Sequence, residues 1–183
     1  HNFSPFLDTN PGAAPDRRFK ALAGIHGKAR KEGFARGGLH AFHSADGIRW
    51  QLTQEAAVFD VPDFAFDSQN VSFWSEAEGR YVCYFRSGET PHGRLRTISS
   101  TTSPDYIHWS APVPMNPNLP GEHLYVSGTH PYFRAPHIYV ALPTRFMPDR
   151  GSSTDILFMS SRAGSEAFDR VSTEAFIRPG LDH

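Results

Sequence analysis

One short pattern recurs along the chain at a fixed spacing and limits what the chain can fold into. Residues 44–50 have the form S-x-D-x-I-x-W, and residues 103–109 repeat it. Residues 161–168 form a weaker third copy, and the aromatic residues that end the three copies are equally spaced. A fixed period of this length indicates a repeat architecture. Because each copy combines Ser/Asp turn chemistry with a closing aromatic residue, the repeated unit is predicted to be a small sheet.

Composition supports an all-β fold. The chain has 183 residues, 13% of them aromatic, with 15 glycines and 15 prolines, and no long segment shows helical periodicity. A net charge of −1 gives no indication of nucleic acid or an anionic membrane as a partner. The sequence contains no signal peptide and no apolar stretch of membrane-spanning length. Since it begins with a histidine, we expect it to be the middle of a longer protein.

The repeat divides the chain into three units, at approximately 1–60, 61–120 and 121–178, within one domain spanning 1–183. Each unit is predicted to have three or four strands. The middle strands at 81–86 and 138–142 are apolar on both faces, which indicates sheets packed on both sides. Short sheets repeated radially describe a β-propeller. Three such blades do not close a ring, because propellers have about four to eight.

Several residues that could suggest metal or thiol chemistry have simpler interpretations. Cys83 lies inside an apolar strand, so we expect a buried, inert thiol. His40 and His43 are three apart on a strand and point to opposite faces, which excludes a zinc pair. No metal site is assigned and no cofactor is required, although calcium held by oxygen ligands in a central channel is compatible with the sequence. Asp46 and Asp105 recur with the turn and are predicted to be structural.

Polar and acidic residues recur just before or on the first strand of each unit. In a propeller these segments line the channel and form one of its mouths, next to aromatic residues such as Phe66 and Tyr125. Carboxylates beside aromatic side chains suit glycoside hydrolysis. In that reaction one carboxylic acid protonates the leaving oxygen, and a second carboxylate either attacks the anomeric carbon or activates a water molecule. Turn capping explains Asp8 or Asp67 alone equally well. The candidates are His1, Asn2, Asp8, Asp67, Gln69, Asn70, Glu122, His123, His130 and Arg134.

Arginine offers a further route to substrate binding. Arg134 and Arg145 flank strands of the third unit and could bind sugar hydroxyls, or a sulfate or carboxylate substituent. Structural ion pairing is at least as good an explanation for both.

Four segments, at 1–8, 66–70, 122–125 and 174–180, resemble a group of bacterial five-bladed propeller proteins similar to glycoside hydrolase families 32 and 43. The S-x-D-x-I-x-W ending resembles theirs as well. Invertase-like and arabinanase-like relatives carry three acidic residues over their first three blades. If the chain starts at the second blade, the resemblance implies that Asp67 is an active-site aspartate, Glu122 the general acid and Asp8 a further channel candidate. The carboxylate of the first blade would then lie outside this sequence. The N-D-P-N and R-D-P signatures of the invertase-like relatives are absent.

The sequence thus predicts a propeller that cleaves a glycosidic bond in an oligo- or polysaccharide. A propeller that binds carbohydrate without catalysis is the main alternative, because fold alone does not imply activity. A protein-interaction scaffold is less favoured, because the predicted loops at 25–37, 87–94 and 147–154 are polar and glycine-rich rather than apolar. A polysaccharide substrate would favour an extracellular or periplasmic location.

Overall fold

The structure, a computed structural model, describes residues 2–25, 38–61 and 65–180. These residues form fourteen strands and two short 3-10 turns, Pro15–Arg17 and Pro148–Arg150, and every strand pairing is antiparallel. The predicted all-β class is therefore confirmed. The strands are β1 (Ser4–Leu7), β2 (Phe19–Ile25), β3 (Gly38–Ser44), β4 (Gln51–Leu52), β5 (Val71–Ser75), β6 (Arg80–Thr90), β7 (Gly93–Ser103), β8 (Val113–Pro114), β9 (His123–Leu124), β10 (His130–Tyr132), β11 (Ala135–Ala141), β12 (Thr144–Met147), β13 (Ser153–Ile156) and β14 (Met159–Arg162).

The first two sheets have the same plan. Strands β1 to β4 form one sheet and β5 to β8 the next, each in sequence order. The last strand of each is a two-residue edge strand that follows the repeated turn. The edge strand β8 contains Pro114, and proline suits an edge because it has no N–H to donate to a central ladder.

The third unit repeats this plan in two pieces. Strands β10, β11 and β14 form one sheet, and β9, β12 and β13 form another. Leu142 and Pro143 separate β11 from β12. The Leu142 N–H donates to the carbonyl of Ser127 at 3.1 Å, and the Thr144 N–H to that of Val126 at 3.1 Å. Backbone pairing therefore continues on both sides of Pro143, which itself has no N–H to donate.

The repeated turn has the same hydrogen bonds in its first two copies. In the first, Asp46 Oδ1 accepts the backbone N–H groups of Ile48 and Arg49 at 2.9 and 2.8 Å. The Trp50 Nε1–H donates to the Gly47 carbonyl at 3.1 Å. The second copy matches each of these bonds with Asp105, Ile107, His108, Trp109 and Tyr106. The predicted structural role of the recurring aspartates is therefore confirmed.

We expect Asp46→Ala to lower the midpoint of chemical denaturation at pH 7, because it removes an acceptor for two backbone donors. The N–H groups of Arg49 and Ile48 lower the pKa of Asp46 to about 2, from an ordinary value of 3.8. A carboxyl group with a depressed native pKa stabilises the fold above its unfolded pKa and loses that effect as the pH falls through the native value. The difference between variant and wild type should therefore shrink from about pH 4 to about pH 2. Glu55→Gln, an exposed neighbour, is the control, and a difference that persists unchanged at pH 2 would contradict this explanation.

The core lies on both faces of the second sheet. Every residue from Tyr81 to Arg86 is buried. Tyr81, Cys83 and Phe85 pack toward the first sheet, whereas Val82 and Tyr84 pack toward the third unit. This alternation confirms that the strand is covered on both sides, and burial raises the pKa of the Cys83 thiol. The three units are therefore stacked through two apolar layers. Their arrangement as propeller blades, and the assignment of 1–183 to one such domain, stay predictions.

Two local predictions are wrong. The segment 87–94 is not a loop, because β6 and β7 extend through it as a long hairpin that turns at Pro91 and His92. The middle strand of the third unit is covered on one face only: Tyr139 and Ala141 are buried, but Ile138 and Val140 are half-buried and Leu142 is exposed. The apolar composition of this strand therefore predicts more burial than the structure shows. The predicted loop at 25–37 lies almost wholly outside the described residues.

Candidate functional site

The segments that lead into the first strands of the three units meet at one end of the stack. The Asn2 side-chain amide donates to the carbonyl of Phe66 at 2.9 Å, which joins the first unit to the second. The Ser68 hydroxyl donates to the carbonyl of Tyr125 at 3.0 Å, which joins the second unit to the third. We call this end, defined by Asn2, residues 65–70 and Tyr125, the mouth. Five of the predicted site residues lie at it or next to it, namely Asn2, Asp67, Gln69, Asn70 and His123.

Asp67 presents a carboxylate to solvent at the mouth. Its side chain is 62% exposed, and its Oδ2 lies 2.9 Å from the Arg86 guanidinium, which is 1% exposed. Burial lowers the pKa of Arg86, and the charge of Asp67 partly offsets that effect. The accessible carboxylate is held in place by the buried cation. Asp67 can therefore accept hydrogen bonds from a ligand while it keeps its ion pair with Arg86.

Arg86 and a second arginine, Arg96, both contact the ring of Tyr125. The guanidinium carbons lie 5.4 and 4.8 Å from the ring centroid, and Arg96 also lies 5.2 Å from the ring of Phe146. The rings of Tyr125 and Phe146 are 5.5 Å apart, nearly perpendicular at 88°. The mouth therefore combines two guanidinium groups with two aromatic rings. This combination suits ligands that have both polar groups and flat apolar faces.

His123 is a neutral imidazole beside this cluster. Its Nδ1 accepts the backbone N–H of Arg96 at 3.2 Å. Only an unprotonated nitrogen can accept, so the ring proton is on Nε2. Partial burial and the charge of Arg96 lower the pKa of His123, which favours the same neutral form. In this neutral form His123 can donate a hydrogen bond from its Nε2–H.

Glu122 belongs to an ion-pair cluster of largely buried side chains next to the mouth. Its two carboxylate oxygens accept from the Arg170 guanidinium at 2.6 and 2.9 Å, and Arg145 lies 3.6 Å away. Arg145 also pairs with Asp155. The side chains of Glu122 and Asp155 are 8% exposed, and that of Arg170 is 9% exposed. The predicted general acid is thus held by two cations, and its catalytic role stays a prediction.

Asp8 lies at the opposite end of the stack from the mouth, because it follows β1 whereas Asp67 precedes β5. Its side chain is 0% exposed and forms an ion pair with Lys20. The Tyr81 hydroxyl donates to it at 2.8 Å, and the Asn10 backbone N–H at 3.0 Å. Burial raises the pKa of Tyr81, which keeps that hydroxyl a donor. Asp8 therefore links β1 and β2 to the second sheet, and its role in a channel stays a prediction.

The other predicted residues have varied surroundings. Asn70 is fully buried and donates to the carbonyl of Ser68 at 3.0 Å, so it shapes the loop that carries Asp67. Gln69 is exposed and donates to the Ser4 hydroxyl at 3.3 Å. His130 and Arg134 are exposed on and after β10, away from the mouth, and His1 lies outside the described residues. The binding roles of these residues, and that of Arg145, stay predictions.

Sequence reasoning missed three side chains that build the mouth: Arg86, Arg96 and Phe146. Arg86 could have been recognised from the sequence, because it is a charged residue at the end of the otherwise apolar run 81–86. Arg96 could not, because it lies four residues beyond the turn of a hairpin whose tip the sequence predicts to be a loop. Its position beside Tyr125 depends on how the second and third units pack.

Within residues 2–25, 38–61 and 65–180, no three His, Cys, Asp or Glu side chains are grouped closely enough to hold a metal ion. The calcium site stays a prediction. The described part of the chain has no helix that is long and apolar enough to cross a membrane.

Comparison with known proteins gives no match by sequence. No family model matches the chain, and no curated protein is significantly similar to it. The solved structures do give matches. An N-acetylgalactosamine deacetylase from F. plautii, in complex with blood group B trisaccharide, aligns with 90% of this chain and 51% of its own, with 13% identity and a TM-score of 0.66. A protein described as a glycoside hydrolase aligns with 98% of this chain and 57% of its own, with 13% identity and a TM-score of 0.62.

A third solved structure, described as a complex of BT0996 and RGII, aligns with 98% of this chain and 57% of its own, with 13% identity and a TM-score of 0.61. At this level of identity the likeness shows a shared fold. The fold is thus one that carbohydrate-processing proteins use, and the chain spans about half the length of the structures it matches. The narrower resemblance to families 32 and 43 stays a prediction.

Proposed function

We propose that this chain is part of a carbohydrate-active protein with a five-bladed propeller fold, and that a sugar binds at the mouth. The observation that carries the proposal is the exposed Asp67 carboxylate, held 2.9 Å from a buried arginine whose guanidinium contacts the Tyr125 ring. An aspartate carboxylate is ionised at neutral pH and accepts hydrogen bonds from sugar hydroxyls. The half-buried rings of Tyr125 and Phe146 supply aromatic surface at the mouth.

The reaction that we propose is cleavage of a glycosidic bond, with Asp67 as an acid/base carboxylate. Such a reaction needs two carboxyl groups on either side of the bond, one of which protonates the leaving oxygen. Glu122 is our candidate for that acid. For Glu122 to protonate a leaving group, Arg170 and Arg145 would have to release it, so substrate binding would need to rearrange the ion-pair cluster.

Asp67→Asn tests the proposal. We expect turnover to fall by about 10²- to 10⁴-fold, because the amide cannot transfer a proton as the carboxylate does. The measurement is hydrolysis of a panel of p-nitrophenyl glycosides and oligosaccharides by the full-length protein, with thermal melting to show that the variant folds. Asp16→Asn is the matched control, because Asp16 is exposed in the turn Pro15–Arg17, away from the mouth. A folded Asp67→Asn variant with unchanged turnover would overturn the assignment.

Carbohydrate binding without catalysis is the second candidate function, and the enclosure of Glu122 favours it. A protein of this kind would bind saccharides from the panel and hydrolyse none of them. Asp67→Asn would then weaken binding, measured by calorimetry, while Asp16→Asn would leave binding unchanged. Absence of both binding and hydrolysis across the panel would contradict both candidate functions.

A further inference from the structure

Arg96 is a cation at the mouth with aromatic neighbours on two sides. Its guanidinium lies 4.8 Å from the centroid of Tyr125 and 5.2 Å from that of Phe146. Among the residues that the structure describes, no carboxylate or hydrogen-bond acceptor contacts the guanidinium, and its Nε is buried. The side chain as a whole is half-buried, so its outer nitrogens are within reach of a ligand.

Other arginines in this part of the fold have carboxylate partners. Arg86 pairs with Asp67, Arg145 with Asp155, and Arg170 with Glu122. Unlike these three, Arg96 has no carboxylate partner among the residues that the structure describes, and its buried Nε has no acceptor. A buried guanidinium N–H without an acceptor is costly, and the rings of Tyr125 and Phe146 hold this guanidinium in place.

The electrostatic surroundings of Arg96 also favour an anion. Arg86 and Arg96 contact the same tyrosine ring, and Asp67 is the carboxylate paired with the first of them. The charge of Arg96 lowers the pKa of both Arg86 and His123, so the positive field reaches two neighbouring groups. The Phe146 ring also lines an open cleft of about 380 Å³, which adjoins the mouth and is lined as well by Arg145, Arg150, Glu122 and Asp149.

We propose that Arg96 binds the carboxylate of an acidic sugar, so that the mouth is selective for saccharides that contain a uronic acid. The inference rests on the proposed function, since it names the substrate class of the same site. A guanidinium presents a planar pair of donors that matches a carboxylate, and a charge-assisted pair is stronger than a neutral hydrogen bond. Tyr125 and Phe146 fix the guanidinium before the ligand arrives, which reduces the entropy lost on binding.

The test compares oligosaccharides containing galacturonic or glucuronic acid with their carboxyl-reduced forms, which differ only at the acidic group. Calorimetry on the full-length protein should show the acidic form binding at least about tenfold more tightly than the reduced form. Arg96→Gln should abolish that preference, and Arg96→Lys, which keeps the charge without the planar fork, should reduce it. Added salt should weaken binding of the acidic form only.

Arg80→Gln is the matched control, because Arg80 is half-exposed and lies at the opposite end of the same sheet. It should keep the full preference. Equal binding of both forms would overturn the inference while leaving the proposed function standing. The same preference in wild type and Arg96→Gln would also overturn it, as would tighter binding of a sulfated neutral oligosaccharide than of the uronide. Binding of neither form would overturn the proposed function itself.

Discussion

Replacement of Asp8 by asparagine should lower the free energy of unfolding by about 3–5 kcal/mol, because it leaves the Lys20 ammonium buried without a counter-charge. The Asp8 side chain is 0% exposed and that of Lys20 11% exposed. The substitution also weakens the acceptor of the Tyr81 hydroxyl, which ties the first sheet to the second. Urea denaturation followed by tryptophan fluorescence measures the change.

A double variant separates the two causes of this loss. Asp8→Asn combined with Lys20→Met removes the stranded charge, so it should recover part of the stability that Asp8→Asn loses. An Asp8→Asn protein that keeps wild-type stability but loses turnover would assign Asp8 to the reaction rather than to the fold.

Glu122→Gln should lower the free energy of unfolding by about 3 kcal/mol. Glu122 is the carboxylate that pairs with Arg170, at 2.6 and 2.9 Å, and both side chains are largely buried. A neutral amide cannot balance that cation, whereas Arg145 keeps its bond to Asp155. Thermal melting and urea denaturation of the full-length protein measure the effect.

Glu174→Gln is the control for this prediction. Glu174 also pairs with an arginine, Arg178, but both side chains are more than 70% exposed. Exposed pairs contribute little, so this variant should melt within a degree or two of wild type. Glu122→Gln with wild-type stability and no turnover would favour Glu122 as a general acid over a structural role.

The repeated turn shows what can be predicted from local sequence. Its hydrogen bonds join residues two or three apart, so Ser44 and Asp46 determine them without help from the rest of the fold. The second copy places Tyr106 at a φ of +71°, where the first has Gly47 at +74°. A tyrosine there is costly in isolation. It is accepted because the buried ring packs against Tyr81 and its hydroxyl bonds to Ser72, at 2.9 Å.

The candidate site was predictable only in part. Asp67 could be found because it precedes a strand in a repeated unit, and that position depends on sequence order. Its partner Arg86 is 19 residues away, and the two meet because β6 runs back past the start of β5. Nothing in the local pattern distinguishes the accessible Asp67 from the enclosed Glu122, since both precede first strands and differ only in the cations that fold around them.

The all-β class and the repeated turn could therefore be predicted from the sequence, as could the inert cysteine and the segments that converge at the mouth. Each depends on composition, periodicity or bonds between near neighbours. The tertiary structure alone decided which carboxylates are accessible, which cations pair with them, and that Arg96 lies between Tyr125 and Phe146. These features depend on packing between units far apart in the chain, where the burial of a charge depends on the side chains that surround it.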